Sequence, residues 1–261
     1  MSTDFTFVVE KKCPVCGRAA RVVKVKSRLV AVQVDNDYCC HYRDFNPYLY
    51  HIWVCEHCSF AADEKVFLTP LPPARQELVA DALLAKHVHF GFSEERNVPD
   101  GIASLKLAIY CAELLRAPIA RRAGLMMRLA WIYRINGDKE LEREFLEKTL
   151  KLYERSLETE RYPIESLTDN MVMYLIGALC ADLGDNKKAV IYLSKLVGSK
   201  NAPAGNDKIS RDARRLWQEV REREQESLQD TEQHKPEPRA QSSRKTAASA
   251  KKKNGFGRWF S

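Results

Sequence analysis

No part of this chain stays apolar for long. Nowhere do hydrophobic residues run to the roughly 18 needed to span a membrane, and the opening MSTDFTFVVEKK has no apolar run of signal-peptide length. A cytoplasmic protein without a transmembrane segment is therefore expected. The body also lacks an excess of one charge. The formal net charge is +7, yet from Lys235 onward eight Lys or Arg face a single acid, Glu237, which leaves 34 basic and 34 acidic residues over positions 1–234. A neutral body speaks against a phosphate-reading face, which is normally basic. No catalytic set of side chains emerges either, and the chain is read as non-enzymatic.

What the sequence does contain is cysteine in pairs. KCPVCG supplies Cys13 and Cys16, WVCEHCSF supplies Cys55 and Cys58, and 38 residues separate the pairs. Two thiolates three positions apart on a tight turn can face one centre, and a small residue after the second leaves room for backbone amides near the sulfurs. Four such thiolates suit a tetrahedral Zn2+, and a closed four-sulfur shell leaves no position for water or substrate, so the ion would be structural. Eight cysteines in a reducing compartment read as thiols or ligands rather than as disulfides.

The surrounding runs FTFVV, RVVKVK, LVAVQV and YLYHIWV (Tyr48 to Val54) are β-branched or aromatic and read as strands. A sheet with so little core needs a staple, and metal binding supplies folding free energy on the order of 10 kcal/mol. A redox Cys-x-x-Cys is the competing reading, but that motif normally opens a helix in a βαβ unit, and neither pair here does. Cys39, Cys40 and His41 form a third cluster, able to donate a replacement ligand or simply to pack. His57, inside the second pair, is expected to point outward. Cys111 and Cys180 fall in helical apolar patterns as small buried hydrophobes.

These residues resemble an uncharacterised bacterial family, domain of unknown function 2225. The resemblance rests on KCPVCG, then VDNDYCCHYRDFNPYLYHIWVCEHCSFAA, then a helical remainder, and spans about residues 5 to 220. Ser59 departs from it, since the family pattern favours glycine after the second pair. The resemblance implies a Cys-rich N-terminal segment joined to tetratricopeptide-like helices, and no activity.

Between the pairs, Asp35, Asp37, Tyr38, Tyr42, Asp44, Asn46 and Tyr48 crowd into fourteen residues. Such a segment can line a binding surface. It can equally be a loop whose Asp and Asn make turns and whose tyrosines cover the metal. No basic partner is evident nearby.

From Pro72 the pattern turns helical. LPPARQELVADALLAKHVHFGF opens a helix after two prolines, and His87 and His89 sit two apart, a poor metal pair. MYLIGALCADLGDNKKAVIYLSKLV carries the tetratricopeptide pattern: Met173, Ile176, Gly177 and Cys180 pack in a first helix, Gly184 and Asp185 turn, and Ala189, Leu193 and Leu196 pack in a second. An earlier copy aligns Ala130 with Gly177 and Gly137 with Gly184, 47 residues apart, whereas the usual period is about 34. The fold is thus tetratricopeptide-like rather than a regular array.

Such layers bind peptides on their inner surface, where Met127, Trp131, Arg134 and Tyr174 are expected as partner-binding residues, with core packing as the alternative for Trp131 and Tyr174. DKISRDARRLWQEVREREQES closes the stack with Ile209, Ala213, Leu216, Trp217 and Val220 on one face. From Gln229 the composition is that of a disordered basic tail ending in Phe256, Trp259 and Phe260.

The sequence thus predicts an α+β protein: a zinc-ribbon-like β domain (1–70), a tetratricopeptide-like helical domain (71–228) and a disordered tail (229–261). The function expected is a cytosolic adaptor for a protein or peptide. A nucleic-acid-associated protein using the zinc domain and the tail is the alternative.

Overall fold

The computed structural model describes residues 5–85, 94–198 and 208–233, with side chains as far as Glu226. His87, His89 and the basic tail from Lys235 lie outside the described residues. Within them the chain is mixed α+β: strands cluster at the N-terminal end and eight α-helices follow. None of these helices is long and apolar enough to cross a membrane.

Six short strands form three separate antiparallel pairs, β1 (Thr6–Lys12) with β2 (Ala19–Val25), β3 (Ala31–Val34) with β4 (Cys40–Tyr42), and β5 (Ile52–Val54) with β6 (Ala61–Asp63). Each Cys-x-x-Cys is the tip of a hairpin, the first between β1 and β2 and the second between β5 and β6. Only part of YLYHIWV is extended. Residues Pro47–Tyr50 form a 3-10 turn, because the Asn46 side chain accepts from the Tyr48 amide at 3.0 Å and Pro47 fixes the first φ.

The helices are α1 (Glu64–Phe67), α2 (Pro73–Ala85), α3 (Val98–Leu114), α4 (Ile119–Asn136), α5 (Lys139–Thr159), α6 (Asp169–Asp182), α7 (Asn186–Gly198) and α8 (Lys208–Gln233). Their ends follow local chemistry. Asn97 and Asp100 close a reciprocal capping box on α3, and Gly137, at φ +82°, ends α4 in the left-handed conformation that glycine takes without strain. Asp138 then caps α5 by accepting from the Leu141 amide at 3.1 Å. Helix α8 carries on past residue 228 to Gln233.

Two apolar cores meet on α4. Leu125, Leu129, Ile132 and Tyr133 on one face of it join Ile52, Trp53, Phe60 and Phe67 of the strand region and Leu105 and Ile109 of α3. Ala123, Met127, Ala130 and Trp131 on the other face join Leu175, Leu179, Leu193 and Leu216 of α6, α7 and α8. Both sets recur at i, i+4, i+7 and i+8, so one helix offers two apolar stripes. The first core runs across residue 70, because the hairpins carry too little apolar surface to bury it among themselves. Gly101 marks the tightest approach: a Cβ there would lie 2.5 Å from Leu49 Cδ2 and 3.1 Å from its Cα. Gly177, read as a close-crossing position, behaves likewise, since a Cβ would meet Leu193 Cγ at 2.7 Å.

Candidate functional site

The two hairpin tips bring Cys13, Cys16, Cys55 and Cys58 together. All eight cysteines are free thiols, and the four sulfurs lie within 4.8 Å of one another. Cys13 Sγ and Cys58 Sγ are 3.6 Å apart, as are Cys16 Sγ and Cys55 Sγ. A tetrahedron of sulfurs around an ion with metal–sulfur bonds of about 2.3 Å has edges of about 3.8 Å, so the cluster has the size a metal ion requires. The turns are built alike. The Gly17 amide donates to the Cys13 carbonyl at 3.0 Å and the Ser59 amide to the Cys55 carbonyl at 2.8 Å, with φ of +72° and +59°. Amides also reach the sulfurs, those of Val15 and Cys16 at Cys13 and those of His57 and Cys58 at Cys55.

Such crowding divides the protons unevenly. Hydrogen bonds from Cys13 and Cys58 pull the Cys55 thiol down to about 2, while the contact with Cys55 pushes Cys13 up to about 12 and the contacts with Cys13 and then Cys55 push Cys58 higher still. One thiolate is easily accommodated, and further ones require a cation beside them. A metal ion held by these four residues would supply that positive charge, and its shell would be closed.

The third cysteine cluster does not join them. Cys39 is fully buried in the second core, and burial raises its thiol well above the usual range. His41 Nε2 donates to the Asp35 carboxylate at 2.7 Å. Asp35, Cys39 and His41 do converge, but the Arg134 guanidinium already stands on Asp35, so a cation occupies that carboxylate. His57 bonds the Ala19 carbonyl at 2.9 Å, away from the sulfurs. Cys111 and Cys180 are buried as expected, with burial lifting their thiols to about 11 and about 12.

The polar insert shows where the expected partner-binding residues went. Met127, Trp131 and Tyr174 are buried, Tyr174 completely, and residues 35–48 of the same chain lie over them. Trp131 Nε1 donates to Asp37 Oδ2 at 2.8 Å, and the Tyr174 hydroxyl donates to the Asn36 carbonyl at 2.8 Å. Arg134 donates to Asp35 at 2.8 Å, to Asp37 at 3.0 Å, to Glu142 at 2.6 Å and, more weakly, to Asp182 at 3.4 Å. Rings extend the contact, Tyr38 on Tyr174 at 5.1 Å and Tyr48 on Trp131 at 5.2 Å between centroids. The groove expected to take a foreign peptide is therefore filled from within, and the tyrosines cover the helices instead of the metal site.

The sequence did not reveal this seat. Asp37 has no solvent exposure and accepts from the Cys39 amide, Trp131 and Arg134. Its basic partner is 97 residues away, and the only usable signal was an insert dense in aspartates, Asp35, Asp37 and Asp44, with no partner assigned to them. Four carboxylates around one guanidinium leave an excess of negative charge. Asp182 absorbs it: burial first, then the charge of Asp37, pushes its carboxyl up to about 6. Burial works against the charge on Arg134, but Asp37, Glu142 and Asp182 together outweigh it and hold the guanidinium more firmly protonated.

Comparison with curated proteins and with solved structures finds no match. A family model, described as an uncharacterized protein conserved in bacteria, matches residues 8–220, which include both hairpin tips, the insert and the helices up to the first half of α8. The chain thus belongs to that uncharacterised bacterial family, DUF2225.

Proposed function

We propose that the protein is a non-enzymatic, cytoplasmic adaptor whose N-terminal hairpins hold a structural Zn2+ and whose tetratricopeptide-like helical layer binds an acidic peptide segment of a partner protein. The carrying observation is the seat on α4 and α6. Trp131, Arg134 and Tyr174 hold the turn between β3 and β4, Asp35 to Tyr38, through two carboxylates, a backbone carbonyl and a tyrosine ring. That is peptide recognition by an aromatic and arginine anchor set, carried out on the chain's own segment. A partner presenting the same groups would compete with it. The zinc reading is supported by an all-sulfur donor set of tetrahedral size. The nucleic-acid alternative rests on the basic tail and draws no support from the described residues.

Two measurements test this. Metal analysis of the purified chain should give one zinc per chain, and removing it with a chelator should release four further reactive thiols. A peptide of residues 33–42 carrying Cys39→Ser and Cys40→Ser should bind a chain with Asp35→Ala and Asp37→Ala, in which the internal segment is loosened, and should bind far less well once Arg134→Met is added. Failure of the peptide to bind the loosened chain, with its metal and circular dichroism intact, would remove the adaptor reading.

A further inference from the structure

A cavity of about 640 Å³ opens where the first hairpin, the 3-10 turn, α4 and the segment before α6 meet. Its size is that of a small-molecule site. The charged side chains around it are nearly all matched. Lys24 pairs with Glu64 at 2.7 Å, Lys65 with Glu165 at 2.8 Å, and Arg121 with Asp63 at 2.6 Å and with Glu165 at 2.5 Å. Arg128 is the exception. Its Nη1 donates to the Gly124 carbonyl one turn back on α4 at 2.9 Å, and among the described residues no carboxylate pairs with it. Burial outweighs the favourable charges around it and lowers the pKa of its guanidinium.

Other unsatisfied groups face the same space. Among the described residues, neither the Tyr153 hydroxyl nor the His51 ring has a hydrogen-bond partner, and both residues line the cavity with Arg128. Burial, followed by the Arg128 charge, drives His51 down to about 3, so the imidazole is neutral and offers one N–H. Gly124 lets two of them converge. A Cβ built there would lie 3.3 Å from Arg128 Nη1 and 3.7 Å from the Tyr153 oxygen.

We propose that this cavity binds a small organic monocarboxylate, its carboxylate seated on Arg128 with Tyr153 and His51 and its apolar part against Trp53, Leu125 and Leu175. The charge balance selects the class: four cations and three carboxylates line the space, leaving one positive charge, which a monoanion neutralises and a phosphate dianion overshoots. The planar guanidinium fork matches a carboxylate in two hydrogen bonds.

Calorimetric titration of the full chain with acetate, hexanoate and phenylacetate tests the site, with uncharged phenylacetamide and inorganic phosphate alongside. Saturable binding at one site per chain is expected, tighter for hexanoate or phenylacetate than for acetate. It should weaken at least tenfold for phenylacetamide or with Arg128→Met, and about threefold with Tyr153→Phe. Arg128→Met should leave the melting temperature unchanged or higher, because it removes an unmatched buried charge. No saturable binding by any of the three carboxylates, binding that survives Arg128→Met, or tighter binding of phosphate than of phenylacetate overturns the proposal. Should Arg128→Met not fold, Arg128→Lys is read instead, and unchanged affinity in that variant overturns it equally.

Discussion

The hairpin tips and the insert between them belong to one short segment and both contain cysteines, but they are held by opposite means. At the tips, residues three apart in sequence meet on tight turns, and only the closure of one pair onto the other is long-range. The insert closes a short hairpin of its own, β3 with β4, but its charged turn is anchored from far away. Asp35, Asp37 and Tyr38 are fixed by Trp131, Arg134, Tyr174 and Asp212, from 94 to 174 residues away. The thiols record the difference: Cys55 is driven toward thiolate by its neighbours, while Cys39 is kept protonated by burial. Local spacing built a cluster that could hold an ion, and distant side chains built a seat for the chain's own turn.

The largest effect should come from the tips. Cys58→Ser, or removal of the metal with a strong chelator, should abolish the metal content and unfold the hairpins, a loss on the order of 10 kcal/mol. Since Cys13 and Cys55 are part of the first core, near-ultraviolet dichroism of Trp53 should collapse with them. Cys40→Ser should keep the metal stoichiometry of the parent chain; loss of metal in that variant would erase the distinction between the two cysteine groups.

Next comes the seat. Arg134→Met leaves Asp37 buried without its counter-charge and should cost about 3–5 kcal/mol in denaturant unfolding, with metal content unchanged. A double-mutant cycle with Asp37→Asn should then recover part of that loss, because the stranded charge goes with it.

A smaller effect is expected from pH. Asp182 titrates near 6 in the folded chain against 3.8 ordinarily, so between those values the folded state binds more protons than the unfolded one. Its contribution to stability therefore falls as pH rises from about 4 to 6 and stays low above. Asp182→Asn should flatten that slope and raise stability at pH 7 by about 1 kcal/mol, seen as a parallel rise in the urea midpoint. The smallest effect belongs to Ser59. Its left-handed backbone costs about 1 kcal/mol, so Ser59→Gly should keep the metal and stay within about 1 kcal/mol of the parent, whereas Ser59→Val at the same φ should melt measurably earlier.

How much could be read beforehand follows from the same contrast. Cys13, Cys16, Cys55 and Cys58 were legible because ligand spacing on a turn is a local property. The helices, their glycine turns at Gly137 and Gly184, and the buried face of α8 were legible because apolar periodicity is local too. Trp131 and Tyr174 were expected on the inward side of their helices; the structure buries both, and nothing in their neighbourhood says what covers them. Asp37 does lie in the expected turn, but its burial and its distant partners left no local trace. Arg128 was not singled out at all, since an arginine inside a helix draws notice only when the carboxylates around it are seen to be already engaged.

The double-faced α4 has a consequence for how the molecule comes apart. A fragment ending at Pro70 would present Ile52, Trp53, Phe60 and Phe67 to water, and one beginning at Leu71 would uncover Leu105, Leu129 and Ile132. Neither half would be soluble and folded by itself. Heat should accordingly melt the protein in a single transition, with a protease finding no stable intermediate to trim.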